Sequence, residues 1–444
     1  MSSNKAERRR INQSGLGLLD EAPRQIPIVA APDVLVVGGG SAGLAAAVAA
    51  ARAGADTLLV ERYGYLGGLA SGGLIILLLT LDDGAGNQVI AGLCQELVER
   101  LESRGAAVYP GPEQWNSNDS ALIEHFRQWG LVWGSGEDRL RYAVAYEPAE
   151  FKFIGDQMVA EAGVRMRFHS WATDVVLEGE RISHVVLESK SGRQAVQPRV
   201  VIDTTGDGDL IHFAGLPHER AEVHAFRWYR MGNVEAPEKA IEAAAGEHFP
   251  TLGGRFFRTP GKGRTLMPWG MADHVERRID ATSVEDLTYA EIESRRLMMT
   301  QIERLRAEAP GFQEAYLNDA AEQLGITETR RLIGDYVLGG EDFEKPFPDT
   351  IAVTGHWTRY DRRFHIPYRA LICQRLRNFI AAGRCISVAQ RVHNATKEIP
   401  ACMATGQAAG IAAALAAAAD GDAVGVDTAA LQKALTEAGA ILEV

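Results

Sequence analysis

The first sustained apolar run, Asp33 to Val37 (DVLVV), is short, unbroken and rich in β-branched residues. That pattern predicts a strand buried on both faces. An Ala-rich run, Leu44 to Arg52, predicts a helix that Gly54 stops, and a second apolar run, Thr57 to Val60, ends in Glu61. Strand-like runs recur at Thr173 to Leu177 (TDVVL), Arg199 to Ile202, Ala225 to Val234 and Asn378 to Ala382. Helical spacing recurs at Leu93 to Leu101, at Tyr289 to Ala309 and through the alanine run 412–419. Strands alternating with helices predict an α/β fold around a doubly wound, Rossmann-like parallel sheet. Polar residues dominate 1–27, and Pro110 to Asn118 reads as a loop.

Between the first strand and the first helix stand Gly38, Gly39, Gly40, Ser41, Ala42 and Gly43. The order strand, GxGxxG, helix, strand, acidic residue is that of a dinucleotide site. Gly38 permits the tight turn, Gly40 lets a pyrophosphate approach the backbone, and Gly43 lets helix and strand pack closely. The helix start offers free N–H groups and the positive end of its dipole to phosphates. Glu61, 18 residues beyond Gly43, is placed to accept hydrogen bonds from ribose hydroxyls. No second strand–GxGxxG–helix unit occurs: Gly261-Lys-Gly263 lacks the flanking elements and Gly206-Asp-Gly208 lacks a third glycine. The competing interpretation is a glycine-rich turn in an α/β protein that binds no nucleotide.

Composition narrows the partners. Hydrophobic residues make up 46% and charged residues 23% of 444, an ordinary globular balance. The net charge of −12 argues against nucleic acid or an anionic membrane as a partner. The longest strongly apolar run, Leu74 to Leu81, is far too short to span a bilayer, and no apolar segment follows Arg8, Arg9 and Arg10. Cys94, Cys373, Cys385 and Cys402 are widely spaced with no CxxC, which argues against a disulfide framework and a structural zinc site. Asp203 to Asp209 (DTTGDGD) lacks the spacing and final Glu of a calcium loop, so no metal is expected. A cytoplasmic location follows as an expectation.

FAD and NAD are not separated by the fingerprint alone. Arg62 to Gly73 (RYGYLGGLASGG) adds a bare backbone suited to a large flat ligand. With it stand VVIDTTGDGDLIHFAG at Val200 to Gly215, LGITETRRLIGDYVL at Leu324 to Leu338, and the stretch from FHIPYR through FIAAGRCIS to IPACMATGQAAG at Phe364 to Gly410. Together they resemble the bacterial FAD-dependent oxidoreductases with a glutathione-reductase-type FAD fold, over nearly all the chain beyond residue 30.

The resemblance implies FAD as cofactor and a discontinuous FAD domain (28–75, 145–216 and 365–444) with inserted α+β substrate or cap segments at 76–144 and 217–364. It implies that Gly68, Leu69 and Ala70 approach the ligand beside Arg62. The turn at Thr205 and Gly206 would lie near the phosphates, and the strand at Thr173 near the adenine. Gly383 would lie near the ribityl chain, where Arg384 either contacts ribityl or phosphate oxygens or pairs with a nearby carboxylate. The start of the last helix, at Cys402 and Met403, would meet the pyrimidine side of the ring, where its dipole favours the reduced anion.

The expected reaction is hydride transfer from a small organic substrate to flavin, with oxygen or an external acceptor taking the electrons. A monooxygenase using NAD(P)H and oxygen, and a non-redox flavin- or nucleotide-binding protein, stand as alternatives. Homo-oligomerisation stays open. Hydride removal usually needs a base. His393, His356 and His365 are the candidates, with Tyr360, and Arg227, Arg230, Arg264 and Arg359 are candidates for holding an anion. Arg330 and Arg331 are expected to tie the insertion to the FAD domain. Cys402 at a helix start is a candidate nucleophile, against the plainer reading of a small apolar packing residue. Covalent flavin attachment through His or Cys stays open.

Overall fold

A computed structural model describes residues 19–132, 138–246, 256–268 and 277–443, with the side chains of 242–246, 360 and 361 also outside the description. The expectations for residues 1–18 and for the Tyr360 side chain therefore lie outside the described residues.

In chain order the elements that matter here are Val34–Val37 (β1), Ser41–Arg52 (α1), Thr57–Val60 (β2), Leu93–Ser103 (α2), Arg165–Arg167 (β3), Trp171–Glu178 (β4), Arg181–Ser189 (β5), Gly192–Val196 (β6) and Val200–Asp203 (β7). They continue with Tyr229–Gly232 (β8), Val284–Glu308 (α3), Arg330–Leu332 (β9), Thr350–His356 (β10), Arg359–Pro367 (β11), Phe379–Ala381 (β12), Gln390–Thr396 (α4) and Ile399–Ala418 (α5). A five-stranded parallel sheet in the order β12-β7-β1-β2-β3 forms the centre. Its register pairs Val34 with Val200 and Thr57, and Ile202 with Ile380.

Period-two alternation divides β1 between two cores. Val34 and Val36 face α1 and α5, whereas Leu35 and Val37 face Val175, Ile182, Val185 and Leu187 of β4 and β5. Helices thus cover one face of the parallel sheet. The other is covered by the sheet Ile28–Ala30, β6, β5, β4, in which β6–β5 and β5–β4 pair antiparallel. A separate antiparallel sheet, Phe257–Arg258, Thr265–Met267, β8 and Tyr316–Ala320, packs with α3 in the inserted segment. The chain is therefore an α/β, Rossmann-like domain carrying an inserted domain.

Three boundaries differ from the sequence expectation, each for a local reason. Helix α1 begins at Ser41, inside the glycine motif, so its first turn belongs to the ligand-facing loop. Helix α3 begins at Val284 because the Ser283 hydroxyl accepts the Asp286 N–H, a cap that precedes the apolar period. Strand β8 is short because Phe226 makes only an isolated bridge to Gly325. Helix α5 is also longer and more apolar than the run-length reading implied. Its 20 residues are long and apolar enough to cross a membrane, but 83% of the apolar window is buried inside the protein. Its burial in one core with α1 and the central sheet explains that composition.

Candidate functional site

The C-terminal ends of β1, β2, β7 and β12 open onto a cavity of about 420 Å³. Such crevices are the usual ligand sites of parallel sheets. Gly38 turns the chain with φ 105°, and a Cβ there would meet the Thr204 carbonyl oxygen at 2.5 Å. Gly43 is packed beneath the turn, where a Cβ would lie 1.7 Å from the Gly38 oxygen. At Gly40 a Cβ would meet nothing within 4 Å; with Ser41 and Ala42 this residue lines the cavity. The backbone is thus bare on the side where a ligand would lie.

At one end Glu61 is buried. Its Oε2 accepts the Gly39 N–H at 2.5 Å and its Oε1 accepts the Tyr63 N–H at 2.8 Å. Burial pushes this carboxyl up, and the backbone donors oppose the shift. Each oxygen keeps a lone pair for a hydroxyl. Ser170, Trp171 and Ala172 form the neighbouring wall. Thr173 does not line the cavity: its hydroxyl lies 3.5 Å from the Val186 carbonyl, so the wall comes from the strand start just before it.

In the middle, the TGDGD turn is held by Asp203, which is fully buried. Its Oδ1 accepts from Thr205 N–H and hydroxyl, and its Oδ2 accepts the N–H groups of Leu210 and Ile211. That occupation explains the aspartate without a metal. Gly206 adopts φ 75°, and a Cβ there would lie 2.5 Å from Arg384 Nη2. Arg384 donates to the Ile326 carbonyl and lies 3.4 Å from Asp207. It therefore lines the cavity and pairs with a carboxylate at once. Arg62 also reaches Asp207, at 3.4 Å, and Arg330 reaches Asp209 at 3.0 Å. Burial and the neighbouring Asp207 push Asp209 up to about 6.

At the other end stand Gly68, Leu69 and Ile75, Ile326 and Thr327, and the start of α5: Lys397, Glu398, Ile399 and Cys402. Gly383 (φ 80°) donates its N–H to the Thr405 hydroxyl at 3.1 Å and seats that helix start. Ala70 and Met403 lie behind this wall, fully buried in the core. Burial drives the Cys402 thiol up to about 12, and its Sγ lies 3.1 Å from the Lys397 carbonyl. That environment matches the packing reading and opposes a thiolate nucleophile.

The three histidines are placed away from the cavity lining. His393 on α4 is buried, with Nε2 2.9 Å from the Arg384 carbonyl and Nδ1 3.8 Å from Glu328. Desolvation drives it down to about 3, so it is a neutral strut under the Gly383–Arg384 turn. His356 and His365 stand on the β10–β11 hairpin, and burial lowers both, His356 to about 4. Three of the four candidate anion-holding arginines are already engaged by carboxylates. Arg227 pairs with Glu291, Arg230 with Glu147 and Asp319, and Arg264 with Glu147. Arg359 lies on β11, away from the lining. Arg330 and Arg331 do tie the segments together, Arg331 through Glu219, Glu328 and the Val388 carbonyl. Lys397, Glu398, Tyr63, Gln323 and Glu291 line the cavity without having been singled out in the sequence. For Lys397 and Glu398 the usable signal was their position immediately before the last helix.

The family model described as FAD dependent oxidoreductase matches residues 33–435. Among solved structures, the chain is similar to p-nitrophenol 4-monooxygenase from Pseudomonas putida DLL-E4 (12% identity, 92% of this chain, 84% of that chain, TM-score 0.49). It is also similar to a geranylgeranyl bacteriochlorophyll reductase-like protein from Thermoplasma acidophilum (15% identity, 92% of this chain, 82% of that chain, TM-score 0.44). A third similarity is to L-proline dehydrogenase from P. horikoshii (11% identity, 87% of this chain, 93% of that chain, TM-score 0.44). This chain belongs to the FAD-dependent oxidoreductase family.

Proposed function

We propose that this flavoenzyme oxidises a small organic molecule by hydride removal and passes the electrons to oxygen or another external acceptor. The observation that carries this reading is the order of chemistry along one cavity. An ordered carboxylate stands at one end, bare glycine backbone and a helix start lie in the middle, and a largely apolar wall that carries Lys397 and Glu398 closes the other.

FAD fits that order. Glu61 would accept the ribose hydroxyls, and Arg62 lies 5.3 Å from the Trp171 ring at the same end. Gly40, Ser41 and the α1 N–H groups would hold the diphosphate, where any side chain at Gly40 would project into the ligand's space. Arg384 and Gly206 would flank the ribityl chain. As the family resemblance implies, Leu69, Ile326 and the start of α5 would hold the flavin ring. Bound there, FAD supplies a two-electron acceptor. The protein's part is to orient the substrate, to exclude water with Leu69, Ile75, Ile326 and Ile399, and to place partial positive charge from α5 beside the ring.

The test is the visible spectrum of the purified protein before and after acid or heat release, followed by anaerobic screening for compounds that bleach it. A flavin spectrum with released FAD, bleached by a substrate alone, supports the proposal. Bleaching that requires NAD(P)H, with oxygen inserted into product, would replace it with a monooxygenase. A colourless protein that takes up no FAD would overturn it.

A further inference from the structure

We propose that Glu398 is the catalytic proton acceptor of this flavoenzyme, that Lys397 holds its charge state, and that the substrate is an alcohol or amine. The proposal rests on the cavity reading above and assigns a residue and a substrate chemistry to its ring end.

The argument is one of elimination among charges. Five carboxylates line the cavity: Glu61, Asp207, Asp209, Glu291 and Glu398. Glu61 is engaged by two backbone N–H groups. Asp207 is engaged by Arg62, Arg384 and the Thr329 hydroxyl, and Asp209 by Arg330. Glu291 is engaged by Arg227 and Arg295. Glu398 makes no side-chain hydrogen bond and no ion pair within 4 Å among the described residues. The lining cations repeat the pattern. Arg62, Arg330 and Arg384 are paired, whereas Lys397 makes no ion pair within 4 Å among the described residues.

Glu398 stands at the N-cap position of α5, where a carboxylate ordinarily accepts the helix's own N–H groups. It does not do so, although its backbone is extended as a cap requires, with φ −64° and ψ 153°. The carboxyl is thus left available on a half-buried wall beside Ile399 and Cys402. Structural roles account for every other charge in the cavity, and they leave this pair over.

Its surroundings suit proton transfer. Burial pushes Glu398 up to about 7, opposed by the nearby Lys397 cation. Lys397 is itself lowered by burial, with Glu398 opposing and Arg384 adding to the shift, while the neighbouring Cys402 thiol stays neutral. A base with a pKa near the working pH is the efficient kind. His393, one of the three histidines that the sequence offered as a base, is neutral and turned to the Arg384 carbonyl.

The step balances for a substrate H–C–X–H in which X is oxygen or nitrogen. The C–H bond breaks and its electron pair leaves with the hydrogen to the flavin. The X–H bond breaks and its proton goes to a Glu398 carboxylate oxygen. The C=X bond forms, so the substrate loses two electrons and the flavin gains two.

The deciding experiment uses FAD-loaded protein and needs no known substrate: a visible-absorption titration between about pH 5 and about pH 9. Wild type is expected to shift its flavin bands with a one-proton midpoint near 7. Glu398→Gln should keep its flavin and lose that transition, Glu398→Asp should restore it, and Lys397→Met should move the midpoint upward. A transition that survives in Glu398→Gln, or a wild-type holoprotein whose spectrum does not respond to pH, overturns the proposal. Rapid mixing with a panel of short-chain alcohols and primary amines adds the rate. Any member that bleaches wild type should reduce Glu398→Gln about 10²–10⁴-fold more slowly, and an equal rate overturns the assignment. If wild type takes up no FAD at all, it is the underlying cavity reading that fails.

Discussion

At the scale of single residues, the glycines of the fingerprint divide into two kinds that one experiment can separate. A Cβ on Gly43 would sit 1.7 Å from the Gly38 oxygen, so Gly43→Ala must force α1 away from the turn. Overpacking of that kind costs about 1–3 kcal/mol, and thermal melts of the apoprotein should show it. Gly40 has open space in front of it. Gly40→Ala should cost the apoprotein no more than about 1 kcal/mol and should instead weaken FAD binding, read by flavin titration. Equal losses of apo stability in the two variants would show that Gly40 is not bare for a ligand's sake. Both expectations could be stated from the sequence, because a glycine's place in a local motif suggests its role. For the cysteine the plainer packing reading holds, and burial is what decides it. A thiol at a helix start is ordinarily activated, but burial here outweighs the dipole and drives Cys402 up to about 12. All four cysteines are buried, so a thiol reagent at neutral pH should label the native protein far more slowly than the urea-unfolded chain. Fast labelling of Cys402 in the native state would restore the nucleophile reading. Glu398 escaped the sequence for a different reason: which carboxylates are already paired depends on partners far away in the chain, such as Arg330 with Asp209.

At the scale of elements, the site depends on how closely α5 approaches α1. A Cβ on Gly406 would meet the Ala42 oxygen at 2.2 Å, and one on Gly410 would meet the Ala46 oxygen at the same distance. Side-chain-free contact lets the two helices lie nearly backbone to backbone, and it explains why both are so rich in alanine. The same contact holds the start of α5 against the cavity, since Ala42 lies on its wall. Gly406→Ala should therefore act twice, lowering the urea midpoint through overpacking and loosening flavin by displacing Glu398 and Cys402. A variant destabilised with unchanged flavin affinity would separate the helix contact from the site. Element type was readable from period and composition for β1, α1, β2 and α5. Boundaries were read less well wherever a cap or a bridge decided them, as Ser283 does for α3 and Phe226 for β8. The layer order could not be read at all, because covering the parallel sheet with β4–β6 is a tertiary choice that period-two alternation in β1 permits but does not require.

At the scale of the whole molecule, the buried titratable groups pull stability in opposite directions with pH. Desolvation holds His393 down at about 3 and His356 at about 4, against an ordinary value of 6.5. For a histidine lowered by folding, the stabilisation is fully present above 6.5 and is lost as pH falls toward the folded value. Burial holds Glu398 up at about 7 and Asp209 at about 6. For a carboxyl raised by folding, the contribution is present below its ordinary value and is lost as pH rises through the folded one. On acidification from neutral the two histidines therefore destabilise while the two carboxyls stabilise, so the two kinds of group oppose one another. Removing one member should tilt the balance in a known direction. His393→Gln keeps a donor for the Arg384 carbonyl but removes the group that must charge on unfolding. Relative to wild type, this variant should gain stability as the pH is lowered from about 6.5, by up to about 1.4 kcal/mol per pH unit. Glu398→Gln should lose stability relative to wild type over the same interval. Urea unfolding of the apoproteins at about pH 7.5 and about pH 5 reads both differences, and surface groups common to all the chains cancel. A His393→Gln difference that is flat with pH would mean that the imidazole is not held neutral in the fold. The same outcome would reopen His393 as a proton carrier next to the Gly383–Arg384 turn, in competition with Glu398.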